Sequence, residues 1–338
     1  MWEGRALSAR REIAALATAG LEVAELHSAA ITVVEKVVPA DLTCWASMDP
    51  DTAMISSMTS GTNRIPQQYE PLLANYEYSG TEPHTFATLA RRATATARLS
   101  DLPRAEIAGS GRLNEVWRPL GLSHELRVIF QADEVCWGAA GLVRRGEFSD
   151  REVEFMDSVA SALAAATRVA ARCSDSQGAG EPAIVVVDSE GSIRAGTAAV
   201  ESWRDQFDRI APGRFAVIVR AVVASARASG TFQARVRGAN GSWILIQASR
   251  LISDGDQDET VVTIKRPAGG ELLGVLFAAY GLTARERDVC HEVIAGRSTS
   301  DIAARLDISA HTVQDHLKSV FGKVGVSSRG ELVAKIHP

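Results

Sequence analysis

The chain has 338 residues, 46% of them hydrophobic and 23% charged, with a net charge of −5. This is about twice the usual length of a domain, so two or three domains are expected, and the ordinary composition excludes disorder of the whole chain. The acidic balance excludes a protein that coats nucleic acid along its length but leaves room for one DNA-reading module.

No window approaches about 18 uncharged apolar residues, and the opening residues lack a signal-peptide core. The expectation is a soluble, cytoplasmic protein with no membrane partner. Cys44, Cys136, Cys173 and Cys290 stand far apart, which excludes a Cys-x-x-Cys zinc knuckle or a disulfide framework.

In chain order, Arg5 to Val38 reads as one long helix or two short ones broken near Ala19-Gly20, closed by Pro39. Strands follow at Leu42–Met48 and Ala53–Met58 across an Asp49-Pro50-Asp51 turn. A looser stretch from Thr59 to Leu122 carries Tyr69, Tyr76, Tyr78, His84, Phe86 and Trp117. Two more strands, Glu125–Gln131 and Val135–Arg144, flank Ala132-Asp133-Glu134. Ser149-Asp150-Arg151-Glu152 has capping-box spacing and starts a helix expected to run to about Cys173. The order predicts an antiparallel sheet with helices on one side, and a terminal helix that overruns the sheet as a dimer contact or signalling rod.

Residues 174–182 form a linker by composition. Strands are then expected at Ala183–Val187, Thr231–Arg237, Ser242–Arg250 and Glu259–Lys265, with helices at Ala198–Phe207 and Ala216–Ala228. Asn240-Gly241 is a hairpin signal, because both residues tolerate positive φ. Residues 267–281 read as a second linker.

From Leu282 the pattern is helical. Thr283-Ala284-Arg285-Glu286 caps a helix ending at Gly296, Thr299–Leu306 forms a second helix, and Ser309 caps a third after the turn Asp307-Ile308-Ser309. Val313, Leu317, Val320 and Val324 share one buried face, so His311, Asp315 and Lys318 point outward with Thr312 and Gln314 on the flanks. This is a helix-turn-helix, whose third helix enters the major groove. Gln314 suits adenine, Lys318 guanine or phosphate, Asp315 cytosine N4, and Thr312 a phosphate. Lys323, Ser328 and Arg329 are further phosphate candidates. Positive and negative side chains nearly balance in this segment, so dimerisation would supply affinity. A last helix, Ser328–Ile336, offers Leu332, Val333 and Ile336 for pairing with a second copy.

Leu282-Thr283-Ala284-Arg285-Glu286, Ile302-Ala303, Ile308-Ser309, Thr312-Val313, His316-Leu317 and Lys323-Val324-Gly325-Val326 resemble the LuxR-type DNA-binding domain over its length. Many members carry Lys where Gln314 stands and Asn-Lys where Thr299-Ser300 stand. Phe86–Leu89, Arg118–Leu122, Glu125-Leu126-Arg127 and Cys136-Trp137-Gly138 resemble the GAF-like sensors of multidomain LuxR-type regulators. Arg237, Gly241 and Trp243 lie in a unit that resembles the PAS-like module between such parts. The resemblance implies a multidomain α+β fold: a GAF-like antiparallel sheet with flanking helices in 1–173, a smaller PAS-like unit in 183–266, and an all-α helix-turn-helix bundle in 282–338. It also implies ligand-responsive control of transcription by a homodimer on double-stranded DNA, with RNA polymerase as a possible partner.

Trp45, Tyr69, Tyr76, Tyr78, His84, Trp117 and Trp137 are the candidates for a pocket that takes a small-molecule effector, against the alternative that they fill a core. No cofactor, metal ligand set or catalytic residue is expected. Residues 174–289 contain neither His nor Cys, which excludes histidine-held haem or cysteine–flavin chemistry there. A response regulator controlled by phosphorylation or a partner protein is the alternative, although such a receiver should open with a strand rather than a helix. An enzyme is disfavoured by the lack of a P-loop or Gly-x-Ser-x-Gly elbow.

Overall fold

A computed structural model describes residues 2–78, 80–92, 94–172, 180–251 and 258–336. Residues 1–266 and 267–338 form two compact units.

The larger unit opens with α1 (Trp2–Leu16) and α2 (Val23–Glu35), the two-helix version of the sequence expectation. Strands β1 (Leu42–Met48) and β2 (Ile55–Ser60) follow. The stretch read as loose contains α3 (Glu70–Tyr78), α4 (Phe86–Leu89), β3 (Thr96–Arg98) and α5 (Arg104–Gly109), then a helical turn over Arg112–Trp117. These pieces are too short to show a periodicity. Next come β4 (His124–Ala132), β5 (Val135–Arg144) and α6 (Asp150–Ala170). Asp133 and Glu134 both have positive φ, which closes β4 onto β5 in a two-residue turn.

The five strands form one antiparallel sheet in the order β2-β1-β5-β4-β3. Alternation along the strands gives it two apolar faces. Trp45, Leu126, Val128, Phe130, Ala140 and Leu142 meet α1, α2 and α6 on one face. Ala46, Met48, Ile129 and Ala139 meet Phe86 and Leu89 on the other, so helices cover both sides and not one. The start of α6 is fixed as the capping box predicts: the Ser149 N–H and hydroxyl donate to Glu152, whose carboxylate also takes both Arg144 guanidinium nitrogens. The end of α6 does not project as a rod. Ala166 and Ala170 pack on Val23 and Leu26, and Arg237 donates to the carbonyl of Ala171. Cys173 and residues 174–179 of the expected linker lie outside the described residues.

The rest of this unit comprises β6 (Ala183–Val187), β7 (Ile193–Gly196), α7 (Ala199–Asp208), α8 (Arg214–Ser229), β8 (Thr231–Arg237), β9 (Trp243–Arg250) and β10 (Thr260–Lys265). Strand β7 is a fully exposed edge strand, so its sequence carries no alternation to reveal it. The second sheet is antiparallel, ordered β7-β6-β10-β9-β8, and buries Val185, Ile244, Ile246 and Val262 beneath Trp203, Phe207 and Val222. Met54 and Tyr78 of the first half complete this core. The two sheets are also joined by polar contacts: the Arg235 N–H donates to buried Asp49 at 2.6 Å, Arg235 Nη1 meets Asp51 at 2.7 Å, and Arg214 donates to the Ser56 carbonyl.

The smaller unit contains α9 (Leu273–Ala279), α10 (Ala284–Ile294), α11 (Thr299–Leu306), α12 (Ala310–Val324) and α13 (Arg329–Ile336). The segment read as a second linker thus contains a helix, and its Leu273 and Phe277 belong to the same core as Val289, Val313 and Leu317. The polar, glycine-rich start at 267–270 hides this apolar turn.

Candidate functional site

Helix α11 ends at Asp307, whose left-handed φ of 54° turns the chain sharply. Ser309 then caps α12, its hydroxyl oxygen accepting from the Thr312 N–H at 3.0 Å. Val313, Leu317, Val320 and Val324 are buried as the four-three-four spacing requires. Gln314, Asp315 and Lys318 are therefore exposed together. Two helices across a tight turn, with the second presenting a polar face, define a helix-turn-helix DNA-binding module.

The charges of this unit are mostly satisfied internally. Glu292 pairs with Arg297 at 2.7 Å and Arg305 at 2.9 Å, and Arg285 lies 3.8 Å from Asp288. Arg287 donates to the Leu282 carbonyl and Lys335 to that of Val324. Lys323, expected to meet phosphate, instead reaches Glu286 at 2.7 Å and the Gly281 carbonyl at 3.1 Å. Arg329 is tied to the Arg297 carbonyl and the Thr299 hydroxyl. Ser328 accepts from the Glu331 N–H at the start of α13. Lys318 alone among the cations of the described residues 267–336 has no partner. The Asp315 carboxylate lies 3.7 Å from His311 Nε2, one helical turn back. His311, passed over as a site residue, is thus part of the exposed face. The Thr312 hydroxyl is shared with that of Ser309.

Leu332 and Ile336 are buried in the unit's own core, and Val333 packs beside them. Of the three residues expected to pair with a second copy, Leu332 and Ile336 are thus spent on the unit's own core and Val333 is only half-buried.

Burial at Glu286 raises its carboxyl, but hydrogen bonds from Lys323, Ser319 and the Thr283 N–H outweigh that and bring it down to about 2. That carboxylate joins α10 to α12 through Ser319 and Lys323.

The seven candidate pocket residues are not gathered at one place. Trp45 meets the tilted Phe130 ring at 5.0 Å and His27 edge-on at 5.7 Å on the face covered by α1, α2 and α6. Tyr69, Tyr76 and Trp117 share a cluster with Leu113, Val116 and Val143 on the opposite face. The hydroxyl of Tyr78 accepts from the Ile55 N–H, and its ring faces the second core. Trp137 is buried, and His84 is buried at a left-handed φ of 56°. Two surface hollows, one bounded by Ser202, Asp205, Asp208 and Arg209 and one by Glu35, Asp41, Thr43 and Asn63, include none of the seven.

Beside Tyr76 and His84 lies a charged group that hydropathy alone conceals. Arg112 and Arg127, both buried, share Glu125 at 2.9 and 3.1 Å. Arg127 also reaches Glu77 at 2.7 Å and lies 4.1 Å over the Phe86 ring, while Arg112 is 3.6 Å from Glu82. The alternation Glu125-Leu126-Arg127 was the available signal, since it sets two charges on one sheet face.

Residues 281–336 match the family described as bacterial regulatory proteins, luxR family, and constitute a LuxR-type helix-turn-helix. The transcriptional regulatory protein MctR of Rhizobium johnstonii is 34% identical over 98 residues, covering 25% of this chain and 46% of that protein. The monoamine regulon transcriptional regulator of Klebsiella aerogenes is 46% identical over 54 residues, 16% of this chain and 24% of that one. The chain thus spans less than half the length of these relatives. Among solved structures, the phycoerythrobilin-bound GAF domain of a cyanobacterial phytochrome aligns with 48% of this chain and 92% of its own at 14% identity and a TM-score of 0.34. The phage VqmA–DPO complex covers 46% and 83% at 18% identity and a TM-score of 0.21. No helix among the described residues is long and apolar enough to cross a membrane.

Proposed function

We propose that the chain is a cytoplasmic, ligand-responsive transcriptional regulator that binds DNA sequence-specifically as a dimer through α12, with the effector sensed in the first sheet and its covering segments. The observation that carries the reading is the exposure of unpartnered Lys318 beside Gln314 on α12, in a unit whose other cations are engaged. On that face Gln314 reads a base edge, Lys318 meets guanine or phosphate, and Thr312 approaches a phosphate from the first turn. Asp315, beside His311, disfavours phosphate and selects a cytosine amino group. Lys323 braces the reading helix against α10, and Arg329 ties α13 to the start of α11.

So few free positive charges make a single copy a weak binder, and two copies linked by the rest of the chain recover affinity. An effector that prefers one arrangement of the dimer shifts the population of DNA-competent molecules by its differential affinity. A mobility-shift assay of the full chain on the DNA upstream of its own gene tests the reading. A salt-dependent, fragment-specific shift is expected, and no preference among fragments would overturn it.

A further inference from the structure

The carboxylate of Glu82 is held as a bound anion would be. Its Oε1 accepts from the backbone N–H groups of Gly111 at 2.5 Å and Arg112 at 3.1 Å, and its Oε2 accepts from the Ser110 hydroxyl at 2.8 Å. Ser110 and Arg112 are almost fully buried, and Glu82 is 8% exposed. Yet Glu82 belongs to no helix or strand: it lies in the segment between α3 and α4, next to Pro83. That segment is clamped by the same two arginines, since Arg112 Nη2 donates to the Pro83 carbonyl and Arg127 Nη1 to that of His84.

The fit of Glu82 is incomplete. Arg112 Nη1 is buried without a hydrogen-bond partner, and the Glu82 Oε2 nearest to it stands 3.6 Å away, beyond hydrogen-bond reach. A carboxylate not tethered to the backbone is able to close that gap while keeping the other three donors. The exchange also conserves charge. Three buried carboxylates, Glu77, Glu82 and Glu125, face two arginines, and an incoming carboxylate that sends Glu82 into water leaves this count unchanged. Both arginines retain Glu125, so neither is stranded as an unpaired buried ion.

We propose that Ser110, Gly111 and Arg112 form a binding site for a small carboxylate effector, occupied in this state by Glu82 as an internal stand-in. Binding displaces Glu82 into water and leaves the segment that carries Pro83 and His84 held by Arg112 and Arg127 without the Glu82 anchor. This rests on the ligand-responsive reading above and names the chemical class of its ligand. A phosphate, which needs donors around a tetrahedron, is the poorer fit to a cradle shaped for a planar carboxylate.

The test uses the full chain and acetate as probe. Thermal unfolding is followed in sodium acetate, sodium chloride and sodium phosphate at matched ionic strength, for wild type, Glu82→Ala and Glu82→Gln. Glu82→Ala is expected to lose about 4 °C or more in Tm and to recover it saturably in acetate but not in chloride. Glu82→Gln, which preserves the side-chain volume, should respond to acetate more than wild type and less than Glu82→Ala. Adding Arg112→Met to Glu82→Gln should abolish the response. Equal acetate effects in all three proteins, or a response to phosphate alone, would overturn the proposal. The promoter shift of wild type without effector is independent of this series, so failure of the anion site and failure of the DNA-binding reading are told apart.

Discussion

The Nζ of Lys323 lies 2.7 Å from Glu286 Oε2, joining the last turn of α12 to the first turn of α10. The same carboxylate accepts from the Thr283 N–H and the Ser319 hydroxyl, so one side chain caps α10 and anchors α12. On the proposed reading, Lys323 is a support and Lys318 a DNA contact. Lys323→Met should destabilise the helical unit by about 1–3 kcal/mol in urea unfolding, with little change in the salt dependence of DNA binding. Lys318→Ala should leave stability unchanged and reduce the slope of log affinity against log salt by about 1 per module. A steeper loss of slope in Lys323→Met than in Lys318→Ala would reverse the two roles.

Glu286 also sets an acid limit. Its carboxyl titrates near 2 in the folded unit against an ordinary value of 4.5, so the unfolded chain takes up the proton first as pH falls. The stabilisation is complete above about pH 4.5 and is lost progressively toward pH 2. Glu286→Gln should flatten the pH dependence of the unit's unfolding free energy across that window. An unchanged profile would mean that the carboxylate is not the coupled group.

His27 gives the larger unit its own pH dependence. Burial, followed by the positive charge of Arg237, lowers the imidazole to about 4 from its usual 6.5. Its Nε2 meets the Thr167 hydroxyl at 3.1 Å, while its Nδ1 is buried without a partner. The neutral ring is the form that fits, so stability is full above pH 6.5 and declines as pH falls toward 4, by up to about 3 kcal/mol. His27→Gln should remove that decline in urea unfolding measured between those two pH values.

Asp49 couples the two sheets. It is fully buried, accepts from the backbone N–H of Arg235 and sits 3.5 Å from the Arg235 guanidinium. Asp49→Ala should cost about 2–4 kcal/mol, because the Arg235 N–H is left without its acceptor. Calorimetry is expected to resolve separate transitions for the two sheets where wild type shows one. A single transition at unchanged temperature would show that the apolar contacts of Met54 suffice.

Leu332 is wholly enclosed by its own unit. Leu332→Ala should cost about 2–5 kcal/mol through the cavity left behind, with the sedimentation behaviour of the folded protein unaltered. A change in oligomeric state at unchanged stability would return this residue to a subunit interface.

Several elements were determined by local sequence alone. The bounds of β1, β5, β8 and α11 coincide with those read from periodicity and turn residues, and the buried face of α12 follows from the spacing of its valines and Leu317. Helical and strand periods act between near neighbours, so they are legible without a fold. The tertiary structure decided which charges remain available. Lys323 meets a carboxylate 37 residues away, Arg127 one 50 residues away, and Arg235 a pair more than 180 residues away. No local pattern encodes such partners, because ion pairing depends on proximity in space and on shared exclusion from water. For the same reason aromatics that cluster in sequence were dispersed over opposite faces of a sheet, and Glu82, featureless in the chain, came to rest in a cradle of three hydrogen-bond donors.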